Sequence, residues 1–470
     1  MRFIFACAFC AATSAVFAQV QPGEVVINEV GIVQTGTDNL EFVELMNKTG
    51  APIDISGLTI TFHNSVNAGT NAIYRTHTFP APTNIAAGGF FVLGPAGVNG
   101  VVPGSFNTAW PASDAIQNGD PDSIRLFRTS DNVTIDALQY WTQYDTTPGV
   151  AENGSGTAAT REGDATGTGG TDTFNVQTGT GAVAARTNIS TGRVPDGTDT
   201  DNNFNDFINQ WHGRSPGASN NPPKNDANIG TPMVEDFSQA TGLAYDWAPR
   251  FTSIVLETAA SAVPAAIPNS PDPTTPGEWA SLKDNTGGGE SAIIPSFIGR
   301  NYNVSADFYC GAISSITETT ETEVGALMGR YSNGHRWNST GSADGNYDMT
   351  VPIGVYGDSY YGLEMSYTTG TVTAIKVLKS TRTELATVPV SVGWHKLELR
   401  MVGDVIQYAV DGTIFHQLTG EVSRPGSVGI GYRELAATAP YATGSVRNNF
   451  DNLRIETGLV PVSISAFAIE

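Results

Sequence analysis

The chain has 470 residues and a formal net charge of −22, with 15% charged residues, 52 glycines and 26 prolines. Such a length can build large cores in two or three domains, and the acid excess excludes a surface made to hold nucleic acid or anionic membranes. Abundant turn formers and a low charged fraction point to an all-β protein.

In chain order, residues 1–18 read as a signal peptide. Arg2 precedes an apolar run from Phe3 to Phe17, and Val16 and Ala18 occupy the positions a signal peptidase recognises. Cleavage after Ala18 and export to the cell surface or medium are expected. The run is too short to span a bilayer well. Cys7 and Cys10 lie inside it, so Cys310 remains alone and no intrachain disulfide is expected.

Two apolar-rich strands between Glu24 and Glu44 flank a Gln-Thr-Gly-Thr-Asp-Asn turn. Leu58 to Phe62 alternates apolar and polar residues, as a strand does. Phe90 to Leu93 is a short buried strand, and Ser123–Arg128 with Val133–Tyr140 forms a hairpin around Ser130-Asp131-Asn132. Residues 147–181 are rich in Gly, Thr and Asp and read as a long surface loop. Phe204 to Trp211 is the best helix candidate. GASNNPPK, Gly217 to Lys224, leads into a linker at 221–231.

The pattern then restarts. Met233–Phe237 reads as a strand. Tyr302, Val304, Ala306, Phe308 and Cys310 fall on one face of another. Val324–Tyr331, Tyr360–Tyr367 and Val372–Leu378 follow. Gly393 to Leu418 reads as a three-strand meander with turns at Gly403-Asp404 and Asp411-Gly412. Ser427–Tyr432 and Phe450–Ile455 are later strands. Residues 459–470 form a tail.

Two resemblances follow from these residues. VVINEV (Val25–Val30), EFVEL (Glu41–Leu45), GAPIDISGLTI (Gly50–Ile60), GRVPDGTDTDNNFNDF (Gly192–Phe207) and RSPGASN (Arg214–Asn220) occur in the order found in the lamin tail domain of exported bacterial proteins. Residues 23–220 resemble that family, apart from the 147–181 region. The resemblance implies an immunoglobulin-like β-sandwich without catalytic apparatus. The Trp394–Gly412 segment, GSVGIGY (Gly426–Tyr432) and NNFDNLRIE (Asn448–Glu456) resemble the concanavalin A-like or laminin G-like jelly roll over residues 232–458. That fold carries lectin-like modules, adhesion modules and glycosidases, so it marks activity poorly.

Candidate chemistry is sparse. Alternation sends Glu41 and Glu44 to opposite faces of their strand, whereas a retaining glycosidase needs two carboxyls about 5 Å apart in one cleft. These acids are expected to accept hydrogen bonds from loops or to sit at a sheet rim. Pro52, Asp54 and Gly57 read as turn chemistry. The Glu-x-Asp-x-x-Glu run of a jelly-roll glucanase is missing. Glu318, Glu321 and Glu323 read as a solvated loop or edge. Asp196, Asp199 and Asp201 on PDGTDTDNN are oxygen ligands spaced for calcium, or side chains that hold their own turn. Trp337, with His335 and Arg336, and the pair Tyr360-Tyr361 are candidates for a glycan contact, or for core and rim packing.

The sequence thus reads as an exported, non-catalytic protein for extracellular binding or adhesion. The jelly roll would contact a polysaccharide or cell-surface partner, and the first domain would act as an interaction scaffold. The alternatives are a glycoside hydrolase on the jelly roll and a structural envelope or matrix component.

Overall fold

A computed structural model describes residues 19–32, 39–64, 72–101, 110–111, 113, 115–117, 122–141, 162, 166–167, 174–178, 182–186, 190–210, 212–220, 224–225, 229–238, 240, 243–250, 252–258, 270–271, 277–284, 290–311, 323–332, 359–366, 369–378, 381–434 and 446–457. The chain forms an immunoglobulin-like sandwich followed by a concanavalin A-like jelly roll. Among the described residues, no helix is long and apolar enough to cross a membrane.

The first sandwich uses β1 (Val25–Gly31), β2 (Phe42–Asn47), β3 (Ile53–Asp54), β4 (Leu58–Asn64), β5 (Ala72–Thr78), β6 (Asn84–Ile85), β7 (Phe90–Leu93), β8 (Asp122–Arg128), β9 (Val133–Trp141), β10 (Thr166–Gly167), β11 (Phe174–Thr178), β12 (Ala182–Arg186), β13 (Thr191–Arg193), α1 (Asn203–Asp206) and β14 (Phe207–Asn209). One sheet runs β14-β13-β1-β2-β7 and the other β10-β9-β8-β4-β5. Ile27, Val43 and Leu45 from the first meet Ile60, Phe62, Ile124 and Leu126 from the second in a common core. Alternation produces this, because every second side chain of each strand faces the other sheet. The turn before β4 follows its sequence chemistry. Asp54 Oδ1 accepts the Ser56 amide at 2.9 Å, and Gly57 sits at φ +82°.

Two elements differ from the sequence reading. The expected helix at Phe204–Trp211 is only the single turn α1, capped by Asn202, and Phe207–Asn209 is a strand on β13. Strand pairing to β13 outweighs helix formation by a segment too short to nucleate one. Of the expected loop 147–181, the described residues include β10, parallel to β9, and β11, which pairs as a hairpin with β12 just beyond it.

The second sandwich uses β15 (Met233–Glu235), β16 (Ala248–Arg250), β17 (Thr252–Thr258), β18 (Glu278–Asp284), β19 (Glu290–Ile293), β20 (Tyr302–Cys310), β21 (Glu323–Ser332), β22 (Ser359–Ser366), β23 (Thr371–Leu378), β24 (Thr381–Pro389), β25 (Gly393–Val402), β26 (Val405–Val410), β27 (Thr413–Leu418), β28 (Ser427–Glu434) and β29 (Val446–Thr457). Its sheets run β17-β18-β29-β20-β25-β26-β27, with β15 also on β29, and β16-β19-β28-β21-β22-β23-β24. Tyr302, Val304, Ala306, Phe308 and Cys310 all enter the core between them. The meander has two-residue turns, pairing Val402 with Val405 and Val410 with Thr413. Asp411 and Gly412 both have positive φ, the geometry that suits the right-handed twist of a hairpin.

Gly426 marks a close approach next to the junction of the two sandwiches. A Cβ there would lie 2.1 Å from the Arg330 carbonyl carbon, which is backbone and cannot rotate away. Gly426→Ala is expected to cost about 1–3 kcal/mol or more. Gly50→Ala, where a Cβ meets nothing within 4 Å, should leave the melting temperature unchanged. Thermal melting of the two variants checks the pair.

Candidate functional site: a cleft between the sandwiches

The segment that reaches the second sandwich is fixed by a buried arginine. Arg193 ends β13 and its side chain is fully buried. Its guanidinium donates to Asp136 at 3.0 and 3.1 Å, to Asp206 at 3.1 Å, to the Thr198 carbonyl at 2.6 Å and to the Ile27 carbonyl at 2.9 Å. It also stacks on Phe207, with 4.5 Å from Cζ to the ring centroid. Asp206 in turn holds the Thr200 amide at 2.9 Å and hydroxyl at 2.8 Å. The stretch 194–206 is therefore tied to β1, β9 and α1 by charge-assisted bonds in a dry site.

A second buried group lies one strand over. Glu29 and Glu44 are cross-strand partners on β1 and β2. Glu29 accepts from the Ser190 hydroxyl and from the Ser215 amide and hydroxyl. Glu44 accepts from Asn28 at 2.9 Å and from the Gly217 amide at 2.7 Å. Asn28 also bonds Asp196, which holds Ser219 and the Asn220 amide. Glu41 accepts the Ala115 and Ile116 amides. The acids of EFVEL thus accept bonds from loops and do not pair across a cleft.

Among the described residues, the anchored stretch and β14 meet the second sandwich through these contacts. Val194 and Ile208 pack on Ile298. Arg300 donates to the Val194 carbonyl at 2.9 and 3.2 Å and also to the Ser423 carbonyl. Arg424 lies over the Phe204 ring at 3.6 Å. Beside these contacts is a cleft of about 300 Å³, walled by Asn202, Phe204 and Asn205 on one side. Arg330, Tyr360, Tyr361, Lys376, Glu421 and Arg424 are on the other. Glu421 accepts from Lys376 at 2.6 Å and from the Tyr361 hydroxyl at 2.8 Å. Arg330 is held by the Arg300 and Gly403 carbonyls, both at 2.8 Å. Burial pulls Arg424 down to about 9.

Residues 18–142 match the family model of the Lamin Tail Domain. The sheet of this lamin tail domain continues past the match through β13 and β14. No curated protein matches the chain. Similar solved structures include a carbohydrate binding module, CBM66, from Bacillus subtilis, at 14% identity and TM-score 0.25, covering 38% of this chain and 86% of that one. A Bacillus subtilis protein of unknown function with a galectin-like fold has 9% identity and TM-score 0.31, covering 48% and 94%. A Bacillus licheniformis beta-glucanase has 13% identity and TM-score 0.28, covering 49% and 99%. At such TM-scores the fold assignment rests on the sheets themselves.

Of the residues singled out in the sequence, Tyr360 and Tyr361 line the cleft. Both are largely buried, Tyr360 stacked on Tyr331 and Tyr361 in the jelly-roll core. His335, Arg336 and Trp337 lie outside the described residues. Asp196, Asp199 and Asp201 take separate places. Asp196 joins the Asn28 network, Asp199 lies 3.6 Å from Lys48 and 3.5 Å from Arg193, and Asp201 is exposed at φ +54°. Among the described residues, the three carboxylates drawn within 4.8 Å of one another are Asp136, Glu162 and Asp199. Arg193 contacts all three, at 3.0, 3.8 and 3.5 Å, and places one positive charge among them. Burial and Asp136 push Glu162 up to about 10.

An acid pair in the jelly roll escaped the sequence reading. Asp307 and Asp451 are cross-strand partners on β20 and β29, 3% and 0% exposed. Direct opposition puts their Cβ atoms about 4.5–5.5 Å apart. Asp307 accepts from Asn452 at 3.1 Å, and Asp451 from Ser270. The same sheet carries the cluster of Trp279, Tyr309 and Trp394. Its signal was present: Asp307 alternates with the core-facing Ala306 and Phe308. The partner came from a strand 144 positions away, which alternation cannot register.

Burial pushes Glu29 up to about 7, and burial together with Glu29 pushes Glu44 up to about 8. Both values are raised above the unfolded 4.5, so the folded state holds these protons longer. Their contribution is present below pH 4.5 and is lost as pH rises through 7 and 8. The lamin tail domain should therefore melt at falling temperature from pH 5 to pH 9. Glu44→Gln should flatten that slope, each group accounting for at most roughly 1.4 kcal/mol per pH unit. Melting curves across the pH range measure it.

Proposed function

We propose that the protein is an exported, non-catalytic glycan-binding protein and that the cleft between its sandwiches is the binding site. The observation that carries this reading is convergence. Aromatic rings of Phe204, Tyr360 and Tyr361 meet the amides of Asn202 and Asn205 and the charged ends of Lys376, Glu421 and Arg424 around one cavity. The rings are largely buried, so they shape the wall, and sugar hydroxyls would be held by the fixed donors and acceptors around it. Glu421 is an acceptor oriented by two donors, and Lys376 and Tyr361 are oriented by it in return. Placement between two domains agrees with where ligand pockets tend to form. The lamin tail domain contributes one wall and so acts as more than a spacer.

The test is a glycan array followed by calorimetry on each hit. Asn205→Ala and Lys376→Ala remove half-buried cleft groups outside both cores. Each should weaken binding about five- to thirtyfold with melting temperature held, in line with the loss of one polar contact. Glycan affinity equal to wild type in both variants would move the site elsewhere.

A second reading has its own observation, the Asp307–Asp451 pair beside the aromatic cluster of β18, β20 and β25. A retaining glycoside hydrolase uses two carboxyl groups close together on one face, and cross-strand pairing puts these two side chains on one face of the sheet. Their present partners, Asn452 and Ser270, suit a structural role equally. Reducing-sugar release from a polysaccharide panel separates the readings. The binding reading expects no turnover; turnover abolished in Asp307→Asn with the fold intact would establish the hydrolase.

A further inference from the structure

The cut expected after Ala18 makes Gln19 the first residue of the exported chain. The Lamin Tail Domain match begins at residue 18, so the domain starts beside that cut. Almost no slack separates the new terminus from the fold. Val20 is 3% exposed and belongs to the first core. Its carbonyl accepts from Arg128 at 2.7 Å, and the Gln21 amide donates to Glu24 at 2.8 Å. Gln19 itself is exposed. Its carbonyl accepts from the Gln21 side chain at 2.7 Å, while its own carboxamide has no hydrogen-bond partner among the described residues. With Val20, Asp54, Ser56 and Arg128 it lines a cleft of about 420 Å³, which leaves the side chain room to turn.

We propose that Gln19 is a modification site: freed as the terminus, it closes on its own α-amine to form pyroglutamate. The inference rests on the export reading and adds the chemical form of the exported chain. The amine nitrogen attacks the side-chain Cδ and forms a lactam bond. The bond from Cδ to Nε2 breaks, and Nε2 leaves as ammonia with the proton that the amine gives up. No water, oxidant or cofactor takes part. Glutamine has the length for this step, because the ring it closes has five members, whereas asparagine would close a strained four-membered one. An ionised glutamate is a poor acyl donor. The nucleophile is available, since an α-amine titrates at about 7.7–8.0 and part of it is free base at neutral pH. The exposed carboxamide gives up no hydrogen bond to a described residue when it turns back on the chain. The product has no ammonium, so the terminus loses one positive charge and the group that aminopeptidases recognise. Val20 is fixed by the core and by Arg128, so Gln19 is the residue that stands open to trimming.

The exported full chain would be dimethylated at its amines and then cut after glutamate. The first glutamate beyond the cut is Glu24, so the fragment ending there reports where the chain starts. Mass spectrometry is expected to find a fragment that begins at Gln19, carries no label on its α-amine and is lighter by one ammonia than its encoded sequence. Labelling before digestion excludes ring closure during sample handling. A fragment that begins at Gln19 with a labelled amine, even after prolonged incubation of the chain at neutral pH, overturns the inference and leaves the cut in place. A fragment that begins at another residue overturns the cleavage reading beneath it. Gln19→Asn should keep the cut, give a labelled amine and lose its first residue to an aminopeptidase that leaves the wild type whole. Equal trimming of the two chains counts against the lactam. Pyroglutamyl aminopeptidase acting on the unfolded wild type should expose a labelled amine at Val20, and failure to do so overturns the assignment of the blocked group.

Discussion

The guanidinium of Arg193 is the constraint on which the rest depends. It is fully buried among Asp136, Asp199, Asp206 and Glu162, with backbone carbonyls completing its bonds. Loss of one partner from such a group strands the others, which makes the arrangement close to all-or-none. What it holds in place is the stretch from Val194 to Asp206. That stretch has little apolar content and few backbone pairings of its own, so its shape comes from the side chains that grip it. The same stretch presents Val194, Asn202, Phe204 and Asn205 to the second sandwich.

The cleft is thus a secondary consequence of a polar core. Arg300 reads the Val194 carbonyl, Arg424 covers Phe204, and the space left beside them is lined by residues of both sandwiches. Interfaces between domains of one chain are commonly polar, and here the described contacts combine two arginines with a small apolar cluster of Val194, Ile208 and Ile298. Cations concentrated at one seam of an acidic chain give the seam a local sign opposite to that of the molecule as a whole. Polar walls of this kind select among ligands by unpaired groups, because a buried donor left without an acceptor is penalised more than a pair is rewarded.

Several features were legible in particular residues. The alternation Tyr302-Val304-Ala306-Phe308-Cys310 identified the core face of β20, and Asp411-Gly412 identified a hairpin turn. Asp54 and Gly57 announced a turn by their own local chemistry. Glu41 and Glu44 were readable as acceptors, since two acids on opposite faces of one strand cannot share a proton or a sugar. Other features were not. The fate of Phe207–Asn209 depended on β13, and the hairpin of β11 and β12 occurs in a stretch with few apolar anchors. Asp196, Asp199 and Asp201 stand close in sequence, yet Asp196 and Asp199 have different partners in space and Asp201 is exposed.

By itself the sequence determined what period-two alternation and turn chemistry can carry: an all-β chain, two sandwiches, the positions of many strands and the absence of a local catalytic run. These depend on neighbours one to four residues away. Only the tertiary structure decided which polar groups meet. The approach of Arg424 to Phe204, the opposition of Asp307 to Asp451 and the gathering of four acids around Arg193 join residues far apart in the chain. Side chains at such separations are brought together by packing of whole sheets, and no local pattern records that packing.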